Sequence, residues 1–105
     1  MNEGEEKLDK LKEQLKGMDW IELSQWIEDN CERYAIVEGY DKSNDALWWQ
    51  AYVGEKDGVT VVAIIDLRAG KQVAYVTTEE FKSVLSNHFQ SDKFVVVTRE
   101  LVEPR

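Results

Sequence analysis

The sequence predicts an α+β fold with the element order α-α-β-β-β-β-α-β, in which helices pack on a mainly antiparallel five-stranded sheet. Residues 46–53 and 59–67 are β-rich runs on either side of a short segment with two glycines, a pattern typical of a hairpin. The second run is apolar on both alternating sets of positions, so both of its faces need cover. Apolar residues at helical spacing occur before and after these runs, and the helices that they predict would supply that cover.

Length and composition indicate one globular domain. With 105 residues, of which 43% are hydrophobic, we expect a single domain over 1–105, with an N-terminal helix over 1–17 and a tail over 100–105. No run approaches the ~18 apolar residues of a transmembrane helix, and the acidic N-terminus lacks the pattern of a signal peptide. The single cysteine, Cys31, favours a reducing compartment, so we predict a cytoplasmic protein without membrane contact.

The net charge of −8 is concentrated near the N-terminus, where residues 1–45 hold 13 acidic and 6 basic side chains. A field of this sign repels phosphate backbones, so we expect no direct binding of nucleic acid. It suits a protein partner that has a basic surface. Solubility is the alternative explanation, because small acidic domains are common.

Two helices are predicted before the first strand. The first extends from Glu3 to Lys16, where leucines recur at helical spacing, and Gly17 suits the turn that ends it. The second opens at Asp19, which has capping-box spacing to Glu22.

At 100° per residue, the second helix has an apolar side and an acidic side. Its apolar positions are Trp20, Leu23, Ile27, Cys31 and Tyr34, with Trp26 at the edge. The acidic ridge on the other side consists of Glu22, Glu28, Asp29 and Glu32, with Gln25 among them. Because a solvated helix face usually mixes charges of both signs, the ridge is a candidate surface for binding a basic partner.

The strands are predicted to form an antiparallel meander. Residues 34–40 precede the hairpin and residues 72–76 follow it, each joined by a short polar turn. Thr77 and Glu80 have capping-box spacing and would begin the third helix. The last strand, 94–98, is apolar on both faces, so we expect it inside the sheet.

Two arrangements would cover such a sheet. In one, the first two helices pack on one face and the third helix packs on the other. In the alternative, all helices share one face, and a homodimer buries the second face.

Trp48 and Trp49 are further candidates for partner binding. Adjacent residues of a strand point to opposite faces. One indole can therefore anchor the core, and the other either packs in a core on the far face or remains at the surface, where tryptophan is a frequent hot-spot residue. Tyr52 is expected to flank one of the rings. Together with the acidic ridge, these three residues make up the predicted partner-binding set.

Few residues suit catalysis or cofactor binding. His88 and Cys31 both lie on apolar sides of their helices, which favours packing roles over a Cys–His dyad. One His and one Cys cannot form a structural zinc site, and no phosphate-binding glycine loop is present. We therefore predict no catalytic residue, no metal and no cofactor.

An enzymatic alternative rests on the stretch from Asp66 to Arg68, which stands in the position of an acid-x-Lys motif. Asp45 or Asp57 would supply an earlier acid. With these acids and the order helix, three strands, helix, strand, residues 19–98 resemble the core of the PD-(D/E)xK nuclease and Holliday-junction-resolvase superfamily. The resemblance implies a metal at Asp66 that polarises a phosphate, although Arg68 stands where that superfamily has its catalytic lysine.

The leading hypothesis is a non-catalytic protein-binding module that inhibits or regulates a basic partner. Its size and charge are similar to those of phage anti-CRISPR and anti-restriction proteins, which block nucleic-acid enzymes, and of immunity proteins, which neutralise toxins. A degenerate nuclease-fold protein and a homodimer of structural or regulatory role are the alternatives.

Overall fold

The computed structural model describes residues 3–89 and 91–104. Its helices are α1 (Glu3–Leu15), α2 (Trp20–Asn30) and α3 (Phe81–Asn87). Its strands are β1 (Arg33–Asp41), β2 (Leu47–Lys56), β3 (Val59–Asp66), β4 (Lys71–Thr77) and β5 (Phe94–Val102). The predicted α+β class and element order are confirmed.

The strands form an antiparallel sheet in the order β4-β3-β2-β1-β5. The predicted meander of the first four strands is confirmed, and β2 is the central strand of the sheet. The expectation that the last strand lies inside the sheet is wrong, because β5 pairs only with β1 in the described sheet and lies at the edge. Its Val95 and Val97 remain exposed. The strand also continues to Val102, into the expected tail.

Helices cover both faces of the sheet, as the first arrangement predicts. One cluster joins α1 and α2 to the sheet; it contains Leu11, Leu15, Leu23, Trp26, Ile27, Val59, Val61, Ala63 and Val76. The other joins α3 to the opposite face; it contains Ala35, Val37, Ala51, Val53, Val62, Phe81, Val84 and Phe89. The apolar side chains of β3 therefore pack alternately into two separate cores, one on each face of the sheet.

The beginning of α2 follows the sequence prediction, whereas its end does not. Asp19 Oδ1 accepts from the Glu22 backbone N–H at 2.9 Å and Glu22 Oε1 from the Asp19 N–H at 3.3 Å, which completes the capping box. The helix ends at Asn30, so Glu32 lies beyond it. The reason is tertiary: the Glu32 N–H donates to the Glu55 carbonyl at 2.9 Å, which draws the chain into the sheet.

The prediction that Thr77 caps the third helix is wrong. Thr77 Oγ1 accepts from the Glu79 N–H at 3.1 Å in a local turn, and α3 begins only at Phe81, after Glu80. The Thr60 hydroxyl, almost fully buried, donates to the Glu79 carbonyl at 2.6 Å. This bond between β3 and the connecting segment favours a turn over an earlier helical start.

Gly54 in β2 allows α2 to approach the sheet closely. A Cβ at this position would lie 2.5 Å from Cys31 Sγ and 2.8 Å from Ile27 Cγ2. Any larger residue would push the helix away from the strand.

Among the described helices, none is both long and apolar enough to cross a bilayer.

Candidate functional site

The structure divides the seven predicted partner-binding residues between two regions. The acidic ridge lies on and just after α2, on the face of the sheet that α1 and α2 cover. Trp48 and Trp49 lie near the start of β2 and line a cleft that Phe89, after α3, also lines. Tyr52 lies on the same strand but contacts α2. The predicted set is therefore a ridge with one supporting tyrosine, and a separate aromatic cleft.

All four carboxylates of the acidic ridge are exposed. Glu22 belongs to the capping box, and Asp29 Oδ1 accepts from Gln25 Nε2 at 3.0 Å. Glu32, beyond the helix end, accepts from the Asp57 N–H at 3.2 Å. The ridge therefore combines three side chains of α2 with one from the segment that follows the helix.

No lysine, arginine or histidine pairs with the ridge carboxylates within the described part of the chain. Their charge therefore faces solvent without an ion pair, and Lys56, whose Nζ lies 3.4 Å from the Asn30 carbonyl, is a cation near the end of the ridge. The sequence prediction missed Ile21, whose side chain is 76% exposed in the first turn of α2. At 100° per residue it points in nearly the same direction as Gln25 and Glu28, so an apolar side chain lies among the carboxylates.

Tyr52 of β2 packs against α2 beside the acidic ridge. Its ring makes an edge-on contact with Trp20, with the ring centroids 5.6 Å apart, and its hydroxyl lies 3.5 Å from Glu28 Oε1. Burial, followed by the charge of Glu28, raises the pKa of Tyr52, so the hydroxyl stays protonated and donates to the carboxylate.

The aromatic cleft depends on a β-bulge between β1 and β2. Gly39 pairs with Trp49 and the next residue, Tyr40, pairs with Leu47, so Trp48 is the extra residue of β2. The expectation that the two indoles point to opposite faces is therefore wrong. Without a partner in β1, Trp48 turns toward the same cavity as Trp49, and alternation along the strand is broken there.

Four aromatic rings form the walls of this cleft. The Trp49 ring stacks on Phe89 with centroids 5.6 Å apart, and the Phe94 ring lies 5.2 Å from Trp48 and 6.2 Å from Trp49. The cavity has a volume of about 540 Å³. Its lining residues are Trp48, Trp49, Ile64, Asp66, Arg68, His88, Phe89, Ser91, Lys93 and Phe94.

Gly39 makes the position of the Trp49 indole possible. A Cβ on Gly39 would lie 2.5 Å from Trp49 Cζ2 and closer still to neighbouring ring atoms. The indole therefore lies directly over the backbone of β1. The sequence signal was present as a glycine within a strand, which often marks a bulge or a close approach.

The charged groups of the cleft are mainly cationic. The Arg68 guanidinium carbon lies 3.2 Å from the centroid of the Trp48 ring, and Lys93 is exposed at the rim. Asp66 Oδ1 accepts from the backbone N–H groups of Arg68 at 2.9 Å and Ala69 at 3.2 Å. These hydrogen bonds, with the Ala69 bond the stronger influence, lower the pKa of Asp66. The Asp66 carboxylate therefore stabilises the turn after β3 through these two hydrogen bonds.

His88 connects the end of α3 to β4. Its Nδ1 lies 3.2 Å from the Tyr75 hydroxyl, and its Nε2 lies 2.9 Å from Glu79 Oε2. Burial, followed by the charge of Glu79, raises the pKa of Tyr75, so the hydroxyl remains protonated. Because the Glu79 carboxylate can only accept, Nε2–H donates to it, and in a neutral imidazole Nδ1 then accepts from the Tyr75 hydroxyl. These hydrogen bonds hold the imidazole in the cleft wall.

The cysteine and histidine lie on opposite faces of the sheet. Cys31 packs with the core under α1 and α2, whereas His88 bonds Tyr75, which packs with the core under α3. Burial raises the pKa of Cys31 from 9.0 to about 12, with the charge of Glu32 adding to the effect. The thiol therefore stays protonated at neutral pH, and the geometry separates it from any imidazole base.

Of the acids considered for a nuclease site, Asp57 lies far from Asp66. Asp57 lies in the turn before β3 and Asp66 at the end of this eight-residue strand, so their backbones are roughly 25 Å apart. Asp57 is excluded as a partner of Asp66. Within residues 3–89 and 91–104, no group of three His, Cys, Asp or Glu side chains could hold a metal ion.

Comparisons with protein-family models, with curated proteins and with solved structures find no match for this chain.

Proposed function

We propose that this protein is a non-catalytic binding module whose acidic ridge docks on a basic surface of a protein partner. The observation that carries the proposal is the outer side of α2, where the exposed carboxylates form no ion pair within the described chain. Such a surface repels other acidic proteins and attracts a basic one.

Two further features support docking at this place. Ile21 offers an exposed apolar side chain among the carboxylates, and interfaces commonly combine an apolar centre with a charged rim. The capping box and the contacts of Gly54 with Ile27 and Cys31 fix α2 against the sheet. A rigid helix loses little conformational entropy on binding.

Basic partners of this kind include enzymes that bind nucleic acid and toxins that attack nucleic acid. By covering the basic cleft of such an enzyme, the ridge would compete with the phosphate backbone for the same lysine and arginine side chains. The proposed role is therefore that of an inhibitor or regulator, acting in the cytoplasm.

The test is affinity capture followed by association kinetics. Tagged wild-type chain is compared with the variant Glu28→Lys/Asp29→Lys, and captured proteins are identified by mass spectrometry. We expect a basic protein that wild type captures and the variant does not. With that protein purified, charge reversal should slow association at low salt, and the difference should shrink as salt screens the charges.

The matched control is Asp9→Lys/Glu13→Lys, which makes the same change of charge at exposed positions of α1. We expect this variant to keep most of the wild-type association rate. If both double variants bind the captured protein as well as wild type does, binding does not need the charge of the ridge. If both bind equally poorly, net charge rather than the ridge decides binding. Either result overturns the proposal.

A further inference from the structure

We infer that the aromatic cleft is a binding site for a small, flat aromatic molecule that carries an anionic group. Nucleoside monophosphates and indole carboxylates belong to this class. The inference concerns a different region from the acidic ridge, and it does not depend on the proposed function.

The size and the walls of the cleft suit such a ligand. Its volume of about 540 Å³ falls within the range of roughly 300–1,000 Å³ that is typical of small-molecule sites. Four aromatic rings surround it, and the indoles of Trp48 and Trp49 are only partly buried. The ring surface that Phe89 and Arg68 leave uncovered is available for edge or offset contact with another planar ring.

The charges of the cleft select an anion. Arg68 and Lys93 line it, and the one carboxylate of the lining, Asp66, already accepts two backbone hydrogen bonds and lies 3.9 Å from Arg68 Nε. Among the described lining residues, two cations therefore stand against one carboxylate in a chain whose net charge is −8, and Asp41 is a second carboxylate near Arg68 but outside the lining. Arginine also presents its donors in a planar fork that matches phosphate or carboxylate oxygens.

The same charges argue against two other occupants. A cationic side chain would compete with Arg68, whose guanidinium already lies over the Trp48 ring. A long polyanion such as RNA would extend past the cleft into the field of an acidic protein. A small anion meets the local cations without that penalty, since charges more than about 10 Å away are largely screened.

The test is a titration followed by two-dimensional NMR, with AMP as the probe. The indole N–H signals report each tryptophan separately. We expect AMP to shift the signals of Trp48 and Trp49, with saturation below about 1 mM. The signals of Trp20 and Trp26, which pack on the other face of the sheet with α2, should stay in place and serve as internal references.

Related probes separate the two parts of the ligand. Adenosine has the ring without the charge, and ribose 5-phosphate has the charge without the ring. Each should bind at least tenfold more weakly than the better of AMP and indole-3-acetate. A higher affinity for AMP would identify a nucleotide site, and a higher affinity for indole-3-acetate an aromatic carboxylate site. The inference is overturned if neither anion shifts Trp48 and Trp49, or if adenosine binds as tightly as AMP.

Variants locate the binding determinants. Arg68→Ala and Lys93→Ala should each weaken binding of the preferred probe about tenfold, whereas Lys16→Ala, an exposed lysine of the turn after α1, should leave it unchanged. Equal affinity in all three variants would overturn the inference. The ridge variant Glu28→Lys/Asp29→Lys should bind the probe like wild type, so failure at the cleft and failure at the ridge are distinguishable.

Discussion

The two ends of β2 are covered in different ways, although a glycine allows a close approach to the sheet at each end. At the later end, Gly54 lies under α2 against Cys31 and Ile27, while the neighbouring Val53 is buried under α3, so both faces are closed. At the earlier end, Gly39 of β1 makes room for the Trp49 indole, and the bulge turns Trp48 toward the same side. A glycine permits close approach at each end, but only one end becomes a sealed core.

The comparison shows that the sheet surface around a glycine is sealed or left open according to the group that packs on it. A helix brings a row of aliphatic side chains that fills the space to the density of a protein interior. A single indole covers one position, and a cavity remains beside it. The same strand therefore carries a structural core at one end and a cavity with accessible rings at the other.

The largest effect is expected from breaking the closed end. Ile27 is fully buried between α2 and the sheet, so Ile27→Ala should lower the free energy of unfolding by about 2–5 kcal/mol, through lost burial and a residual cavity. Urea denaturation followed by circular dichroism measures this loss. Ile21→Ala, on the exposed side of the same helix, is the matched control and should change stability by less than about 0.5 kcal/mol.

A smaller loss is expected at the cleft end. Gly39→Ala should destabilise the fold by about 1–3 kcal/mol, because its Cβ would overlap with the Trp49 indole. Trp49→Ala and the double variant complete a cycle of unfolding measurements. If the overlap is the cause, Gly39→Ala should have little effect in the Trp49→Ala background. An equal loss in both backgrounds would point to the backbone instead of the ring.

The capping box of α2 should contribute less again. Asp19→Ala removes the acceptor for the Glu22 N–H and should lower the free energy of unfolding by about 1 kcal/mol. Asp9→Ala, an exposed position within α1, is the control and should be nearly neutral. Equal losses in the two variants would mean that the lost negative charge, rather than the cap, is being measured.

Ionisation of Cys31 should not affect stability at neutral pH and should lower it increasingly in alkali. Folding raises its pKa from 9.0 to about 12, so the folded chain binds this proton more tightly than the unfolded chain. Its contribution is complete below pH 9 and is lost as pH rises toward 12. The free energy of unfolding should therefore fall more steeply with rising pH for wild type than for Cys31→Ala. Parallel curves would show that the thiol ionises freely in the fold.

Local sequence patterns determined the element order and the start of α2. The capping box at Asp19, the glycine at the end of α1 and the two apolar faces of β3 depend on near neighbours or on side-chain alternation, so they were readable before the structure. The charge of the ridge was equally visible, since it follows from composition along a short stretch.

Tertiary structure alone decided the rest. Pairing with β2 and its Glu55 carbonyl ended α2 before Glu32, and the Thr60 hydroxyl favoured a later start of α3. The bulge brought Trp48 and Trp49 to one cavity, which Arg68 and Lys93 line from other segments. Helix caps and periodicity act within a few residues, whereas strand register, sheet edges and cavities arise from contacts between residues far apart in the chain.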